Sequence, residues 1–273
     1  MATPFLEQSK QARLKILEMV FKAQSSHIGS NFSVVDIFTV LFDKKTEDDQ
    51  IILSAGWKAA SFYYFLTKEG LFSESELDTY NQEGSKLIGL TEPGVPGVLF
   101  AGGSMQMGAP ASVGFAMAKK LKGEQGKVFC VLSDGELGGG MIWESAMIAN
   151  HHKLDNLVFI VDNNRLQAMG KTNEILSQAD TASKFRSFGF AVLEINGHDF
   201  SQLESSFDWL SEYQVCPVVI IADTIKGKGV SFMEENNLYH YKNLSEEEYF
   251  NALAELDPTN TRTFKNPYFK KIK

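Results

Sequence analysis

An aspartate that closes one apolar run, with an asparagine pair closing the next, is an arrangement that can hold a metal ion. In "VLSDGELGGG" (131–140) Asp134 follows the run "KVFCVL" (127–132), and Gly135 comes directly after it. In "VDNNRLQ" (161–167) Asn163 and Asn164 close a second run, and Asn164 lies thirty residues after Asp134. A glycine-rich turn at a strand end offers backbone N–H groups to a phosphate. A bare carboxylate beside that anion repels it by about 1 kcal/mol in water and several times more when partly buried. A divalent cation reverses the sign, because Mg2+ takes oxygen ligands and bridges a carboxylate to substrate phosphates. Asp134 and Asn164 are then candidate ligands from adjoining strand tips, with the Leu166 carbonyl as candidate third. Two other readings stay open on the residues alone. The glycines at 135, 138, 139 and 140 suggest a nucleotide-binding turn, although the G-x-G-x-x-G spacing is not met. Asp-Gly and Asn-Asn are also ordinary turn dipeptides.

Thirty residues is one β-α-β step, so the strands carrying the two tips must be neighbours. The surrounding pattern supplies them. Strands are expected at 51–56, 127–132, 156–162, 191–195 and 217–223, where apolar runs are near-continuous. Helices are expected over 5–24, from Val34 to Phe42 with Ser33 as N-cap, over 108–121, Gly140 to His151, 178–188 and 200–213. Ser73 and Glu76 read as a capping box before another helix. This alternation implies an α/β fold, a doubly wound, mostly parallel sheet with helices on both faces. Ligands in such sheets bind beyond the carboxyl ends of the strands, which directs attention to the turns at 133–140, 162–170 and 224–230.

Composition narrows the classes. The chain has 273 residues, 44% hydrophobic and 22% charged, with a formal net charge of −8. That charge argues against a nucleic-acid surface. No apolar run approaches twenty residues, so no membrane span is expected. "MATPFLEQSKQ" lacks a secretory signal layout, and a cytoplasmic location is expected. Cys130 and Cys216 both fall in apolar, strand-like runs and read as buried free thiols. "EEE" at 246–248 reads as a solvated helix face. His151, His152 and His198 are assigned no chemistry, His198 in "NGHD" being read as shaping a turn.

Aspartate-glycine followed about thirty residues later by an asparagine pair is the signature of thiamin diphosphate sites. The wider chain resembles the N-terminal part of the transketolase family, and more closely its split N-terminal subunits. The resemblance is carried by "SSHIGSNFSVVDIFTVLF" (25–42), "GGSMQMGAPASVGFAMA" (102–118), "HHKLDNLVFIVDNNRLQAMGKT" (151–172) and "IKGKGVSFMEENNLYH" (225–240), in the family's order. It implies one thiamin diphosphate-binding domain of the diphosphate (PP) type over 1–273. It implies that Asp134, Asn164 and the Leu166 carbonyl hold Mg2+ or Ca2+. Ser133, Gly135, Glu136, Lys226 and His240 would line the diphosphate, and Gly103, Ser104 and Met105 the aminopyrimidine. His27 and His240 are the implied proton-transfer residues. The family's catalytic glutamate belongs to a following pyrimidine-binding domain. Since the chain ends at Lys273, a C-terminal transketolase-like partner subunit is expected to supply it, in an α2β2 assembly.

Departures from the family pattern point at the substrate. Trp57 in "LSAGWKAASFYY" and Leu90 in "IGLTEPGVPGV" stand where the family has histidines. Gly139 replaces a glutamate, Met169 an aspartate and Ser133 a glycine, while Glu144 is kept. Buried hydroxyls need partners, and an indole with an isobutyl group offers one donor and much apolar area. The expectation is therefore a donor smaller or less hydroxylated than an ordinary ketose, pyruvate being one candidate, or a deoxy or keto-sugar acceptor. An ordinary transketolase acting on ketose phosphates, or a non-catalytic subunit, is the alternative.

Overall fold

Among the described residues five strands run side by side in one parallel sheet: β1 (Gln50–Leu53), β2 (Val128–Ser133), β3 (Leu157–Asn163), β4 (Ala191–Asn196) and β5 (Val218–Asp223), in the order β1-β2-β3-β5-β4. The computed structural model describes residues 4–259; residues 1–3 and 260–273, which include the chain end behind the partner expectation, lie outside the described residues. The helices are α1 (Pro4–Lys22), α2 (Ile28–Lys44), α3 (Ala59–Lys68), α4 (Gly108–Lys122), α5 (Gly140–His151), α6 (Thr172–Leu176), α7 (Thr181–Ser187), α8 (Phe200–Glu212) and α9 (Glu246–Leu256).

The period of two along a strand sends alternate side chains to opposite faces. In β2, Phe129 and Val131 enter one core while Val128, Cys130 and Leu132 enter the other. β3 divides the same way, with Val158 and Ile160 on one face and Leu157, Phe159 and Val161 on the other. The first core packs under α1, α2, α3, α8 and α9, and the second under α4, α5 and α7. Central strands covered on both faces explain the near-continuous apolar runs. Truncating a side chain such as the fully buried Phe159 costs about 3–5 kcal/mol.

Register puts three strand ends level. Ser133 of β2 pairs with Asp162 of β3, and Asn163 of β3 pairs with Asp223 of β5. The turns beginning at Asp134, Asn164 and Thr224 therefore leave the sheet as neighbours.

Several boundaries differ from expectation. Helix α2 begins at Ile28 rather than Val34, so Ser33 is not its N-cap but a buried interior residue whose hydroxyl donates to Ser30 O and Asp162 Oδ2. Its first turn is fixed from outside, the His27 N–H donating to His240 O, a tertiary bond that local pattern does not reveal. The stretch 51–56 stops being a strand at Leu53, and a 3-10 turn over Gly56–Lys58 follows. Gly56 is required there, because a Cβ would stand 2.2 Å from Gly102 O. The Ser73–Glu76 capping box is present, heading a 3-10 turn over Glu74–Thr79. The expected helix over 178–188 is α7 alone, preceded by the short α6. Cys130 is buried in β2, but Cys216 lies before β5, half-buried, with its sulfur 3.3 Å from Tyr213 Oη. In α9, Glu246 and Glu247 are solvated, whereas Glu248 completes a capping box with Ser245 and accepts from Tyr239 and Lys242.

Candidate functional site

At the β2 tip the chain turns through Asp134–Gly138 in one 3-10 turn. Asp134 is 2% exposed. Its Oδ1 accepts the Gly135 N–H at 2.9 Å and its Oδ2 accepts the Thr172 hydroxyl at 2.7 Å. Burial pushes its pKa up to about 6, the Thr172 bond opposing and the nearby Asp162 charge adding to the rise. A carboxylate held at that cost is one that a bound cation would stabilise. Glu136 faces inward instead. Its oxygens accept from Ser133 N (2.8 Å), Ser133 Oγ (3.3 Å), Gln106 N (2.8 Å) and Ser54 Oγ (2.5 Å), so it braces three turns from behind. Ser133 has φ −110°, an extended conformation that serine adopts without strain, so the family's glycine is not needed here.

At the β3 tip Asn164 is nearly buried. Its Nδ2 donates to Asp162 Oδ2 at 3.2 Å and to Ser33 Oγ at 3.5 Å, while Oδ1 accepts the Leu166 N–H at 3.2 Å. Asp162 and Lys58, both 0% exposed as side chains, form an ion pair beneath the site, and Asp162 also accepts from Ser33 and Thr224. Asn163 turns the other way, to Asp223 Oδ1. The loop then doubles back, Thr172 N–H donating to Arg165 O and Gln167 N–H to Gly170 O, which delivers Thr172 to Asp134.

At the β5 tip Lys226 is 1% exposed. Its ammonium donates to His240 Nδ1 at 2.8 Å, Leu166 O at 3.4 Å and Asn237 Oδ1 at 3.4 Å. The His240 ring meets the His27 ring edge-on, with centroids 4.9 Å apart, and His27 Nδ1 is 2.7 Å from Ser26 Oγ. Burial, then the charges of Lys226 and Lys58, lowers His27 to about 4. Burial, then Lys226, His27 and Lys58, lowers His240 to about 3. Burial and the Lys58 charge lower Lys226 to about 8. Lys58 is matched by Asp162, so the Lys226 ammonium beside two neutral imidazoles is the charge able to receive an anion.

The 102–107 turn forms the other wall. Gly102 is closed down on Thr91 and Gly56, while Gly103, Ser104 and Met105 are exposed. Gln106 adopts φ 72°, and its side chain covers Gly139 so closely that a Cβ there would be 1.8 Å from the carboxamide. Leu90 Cδ1 is 3.6 Å from where a Cβ on Gly103 would stand. The Trp57 carbonyl accepts from Asn31 Nδ2, which also donates to His27 O, so Trp57 is tied to the His27 turn. Met169 and Glu144 are exposed. His151 and His152 pair on the surface at the end of α5, apart from these turns.

The structure thus groups Asp134, Gly135, Asn164, Leu166, Lys226, His240 and His27 around three adjoining strand ends, puts Ser133 and Glu136 one layer behind, and carries Gly103, Ser104 and Met105 exposed on the turn whose Gln106 meets Glu136 and Gly139. Lys58, Asp162 and Thr172 were missed from the sequence. Asp162, the strand residue just before the asparagine pair, carried a faint signal; Lys58 and Thr172 carried none. Among the described residues no cluster of three His, Cys, Asp or Glu could hold a metal. The available donors are one carboxylate, one amide oxygen and one main-chain carbonyl. An all-oxygen set with so few protein ligands fits a hard cation completed by phosphate oxygens. A cavity of about 700 Å3 opens beside these tips, lined by Asn164, Leu166, His198, Thr224 and Ile225 among others. Another, of about 510 Å3, lies at the opposite end of the sheet around Lys127 and Asn156, away from these groups.

The family description "Transketolase, thiamine diphosphate binding domain" matches residues 7–268. The chain is 35% identical over 259 residues to an apulose-4-phosphate transketolase subunit of Phocaeicola vulgatus, covering 91% of this chain and 92% of that one. It is 31% identical to 6-deoxy-6-sulfo-D-fructose transketolase subunit SqwG of a Clostridium species, covering 92% and 95%. The transketolase structure from Campylobacter jejuni superposes with a TM-score of 0.88 at 30% identity, covering 95% of this chain and 44% of that one. The chain therefore spans less than half the length of that solved enzyme. No described helix is long and apolar enough to cross a membrane.

Proposed function

Because the chain belongs to the transketolase family and carries its thiamin diphosphate-binding domain, we propose that it is the diphosphate-binding subunit of a split enzyme that moves a two-carbon ketol or acyl unit onto a sugar aldehyde or ketone. Transfer of aldehyde or ketone residues is the family's chemistry, and membership replaces the nucleotide-binding reading. The observation that carries the assignment to particular residues is the convergence of Asp134, Asn164 and the Leu166 carbonyl with the Lys226–His240–His27 recess.

Asp134, Asn164 Oδ1 and Leu166 O hold Mg2+ or Ca2+. Thr172 donates to Asp134 Oδ2 and Lys226 to Leu166 O, which fixes the direction of both oxygens. The Gly135 N–H and Lys226 meet the diphosphate. Gly103, Ser104 and Met105 face the aminopyrimidine. Thiamin diphosphate supplies the electron sink for breaking and forming the carbon–carbon bond. His27 and His240, kept neutral, accept and return protons at the substrate's oxygens.

Two relatives, each named as one lettered subunit of an apulose-4-phosphate transketolase, are matched over 92% and 95% of their length, which supports an enzyme divided between two chains. The partner subunit contributes the pyrimidine domain and its glutamate, in an α2β2 assembly, with residues 1–273 acting as one domain. Relatives named for apulose-4-phosphate and for a sulfonated fructose support an anionic, non-standard sugar as one substrate. Trp57 and Leu90 favour a donor with fewer hydroxyls. The test is co-expression with a pyrimidine-domain subunit, loading with thiamin diphosphate and Mg2+, and mass-spectrometric screening of pyruvate, ketose phosphates and sulfonated ketoses. Turnover of any donor supports the reading; a loaded, assembled complex inert to all three classes contradicts it.

A further inference from the structure

A buried ion cluster outside the coenzyme recess reaches into it through one imidazole. Arg13 on α1 grips Asp36 on α2 with both guanidinium nitrogens, Nη1 to Oδ1 at 2.9 Å and Nη2 to Oδ2 at 2.8 Å, and Nη2 also donates to Phe32 O. His198, in the turn after β4, places Nδ1 2.7 Å from Asp36 Oδ2. The other ring nitrogen, Nε2, accepts the backbone N–H of Ile225 at 2.8 Å. A backbone N–H can only donate, so Nε2 carries no proton and Nδ1 carries the one it gives to Asp36. The Ile225 N–H and the Asp36 carboxylate together select the tautomer and the ring orientation. His198 does sit in the turn expected from the sequence, its N–H donating to Asn196 Oδ1, and its ring adds this pairing, which the sequence did not show.

Ile225 immediately precedes Lys226, and the turn is anchored on both sides of that pair. Thr224 N donates to Asn163 O, the Thr224 hydroxyl to Asp162 and Gly227 N to Gly29 O, while His198 is the side-chain acceptor for the Ile225 N–H between them. Lys226 Nζ reaches Leu166 O and His240 Nδ1 from this turn. We propose that Asp36 and His198 are positioning residues that set the height of Lys226 in the recess through the Ile225 N–H; this rests on the assignment of Lys226 to the diphosphate. A part-buried donor stripped of its acceptor is destabilising, which lets the turn relax and carry the ammonium away from its partners.

The test uses the full chain co-expressed with its pyrimidine-domain partner. His198→Asn keeps a donor where Nδ1 stands but removes the acceptor at Nε2. His198→Gln reaches farther and returns an oxygen to the Ile225 N–H. Hydrogen exchange followed by mass spectrometry reads the 224–227 segment without coenzyme, and calorimetric titration reads thiamin diphosphate affinity with Mg2+. The proposal expects faster exchange at 224–227 and about tenfold weaker coenzyme binding in His198→Asn, about 1.4 kcal/mol, with both largely restored in His198→Gln. Unchanged exchange in His198→Asn overturns it. Faster exchange with unchanged affinity also overturns it when Lys226→Met weakens binding. If Lys226→Met itself leaves affinity unchanged, the diphosphate assignment fails, and the proposal falls with it for that separate reason.

Discussion

Asp162 accepts the side-chain amide of Asn164 at 3.2 Å, which leaves the amide oxygen, with one lone pair on the Leu166 N–H, as the end able to act as a ligand. An ionised carboxylate only accepts, so it can receive Nδ2 and not Oδ1. The ammonium of Lys58, fully buried against the same carboxylate, keeps Asp162 ionised, its pKa held down against the effect of burial.

Asp162→Asn should therefore act twice. It strands Lys58 without a partner, at a cost of about 3–5 kcal/mol in stability, and it lets the Asn164 amide flip. Urea unfolding should show the stability loss. In Asp162→Asn combined with Lys58→Met the loss should be well short of the summed single effects, since the two residues share one interaction. Additive losses would mean the pair is not coupled.

Acid should weaken the fold through the recess histidines. With folded values lowered to about 4 for His27 and about 3 for His240, the folded rings stay neutral where the unfolded ones protonate. The unfolded state binds more protons below about pH 6.5, so stability is full above that pH and falls as pH drops toward 4, by about 3 kcal/mol for His27 alone. The difference in unfolding midpoint between the native chain and His27→Gln should shrink or reverse on going from neutral pH to about pH 4.5. A pH-independent difference, or a His27 resonance titrating near 6.5 in NMR, would contradict this.

Two glycines should respond oppositely to alanine. At Gly56 a Cβ meets Gly102 backbone at 2.2–2.7 Å, so Gly56→Ala should cost more than about 3 kcal/mol and disturb the 102–107 turn. Gly114 in α4 has open space around it, so Gly114→Ala should gain about 0.5–1 kcal/mol from helix propensity. Thermal melts of the two variants decide it.

Donor choice should follow the two missing imidazoles. Restoring them in Trp57→His with Leu90→His should raise kcat/KM for a hydroxylated ketose phosphate by about tenfold or more, since each recovered hydrogen bond to a substrate hydroxyl is worth about 0.5–1.5 kcal/mol. Steady-state kinetics with competing donors would show it, and an unchanged preference would make the two replacements incidental to specificity.

The placement of Asp134 and Asn164 at adjoining strand ends was legible because the signal is local: each ends a near-continuous apolar run, and strand ends in a parallel sheet are where ligands bind. The alternation that positions them was equally visible, and the parallel sheet follows from it. What escaped was tertiary. Lys58 follows a tryptophan in an ordinary turn and is recognisable only once α2 and β3 enclose it. The early start of α2 depends on a bond from His27 to His240, more than two hundred residues away. Gln106 over Gly139 and His198 under Ile225 are contacts between segments whose sequences carry no shared pattern.

The most direct measurement is calorimetric titration of thiamin diphosphate with Mg2+ into the complex of this chain with its partner, comparing native Asp134 with Asp134→Ala and Asn164→Ala, each first confirmed folded by its melting transition. Metal-dependent affinity lost by about 100-fold or more in both variants, about 2.8 kcal/mol, is the predicted result. Native affinity retained in folded Asp134→Ala would contradict the account.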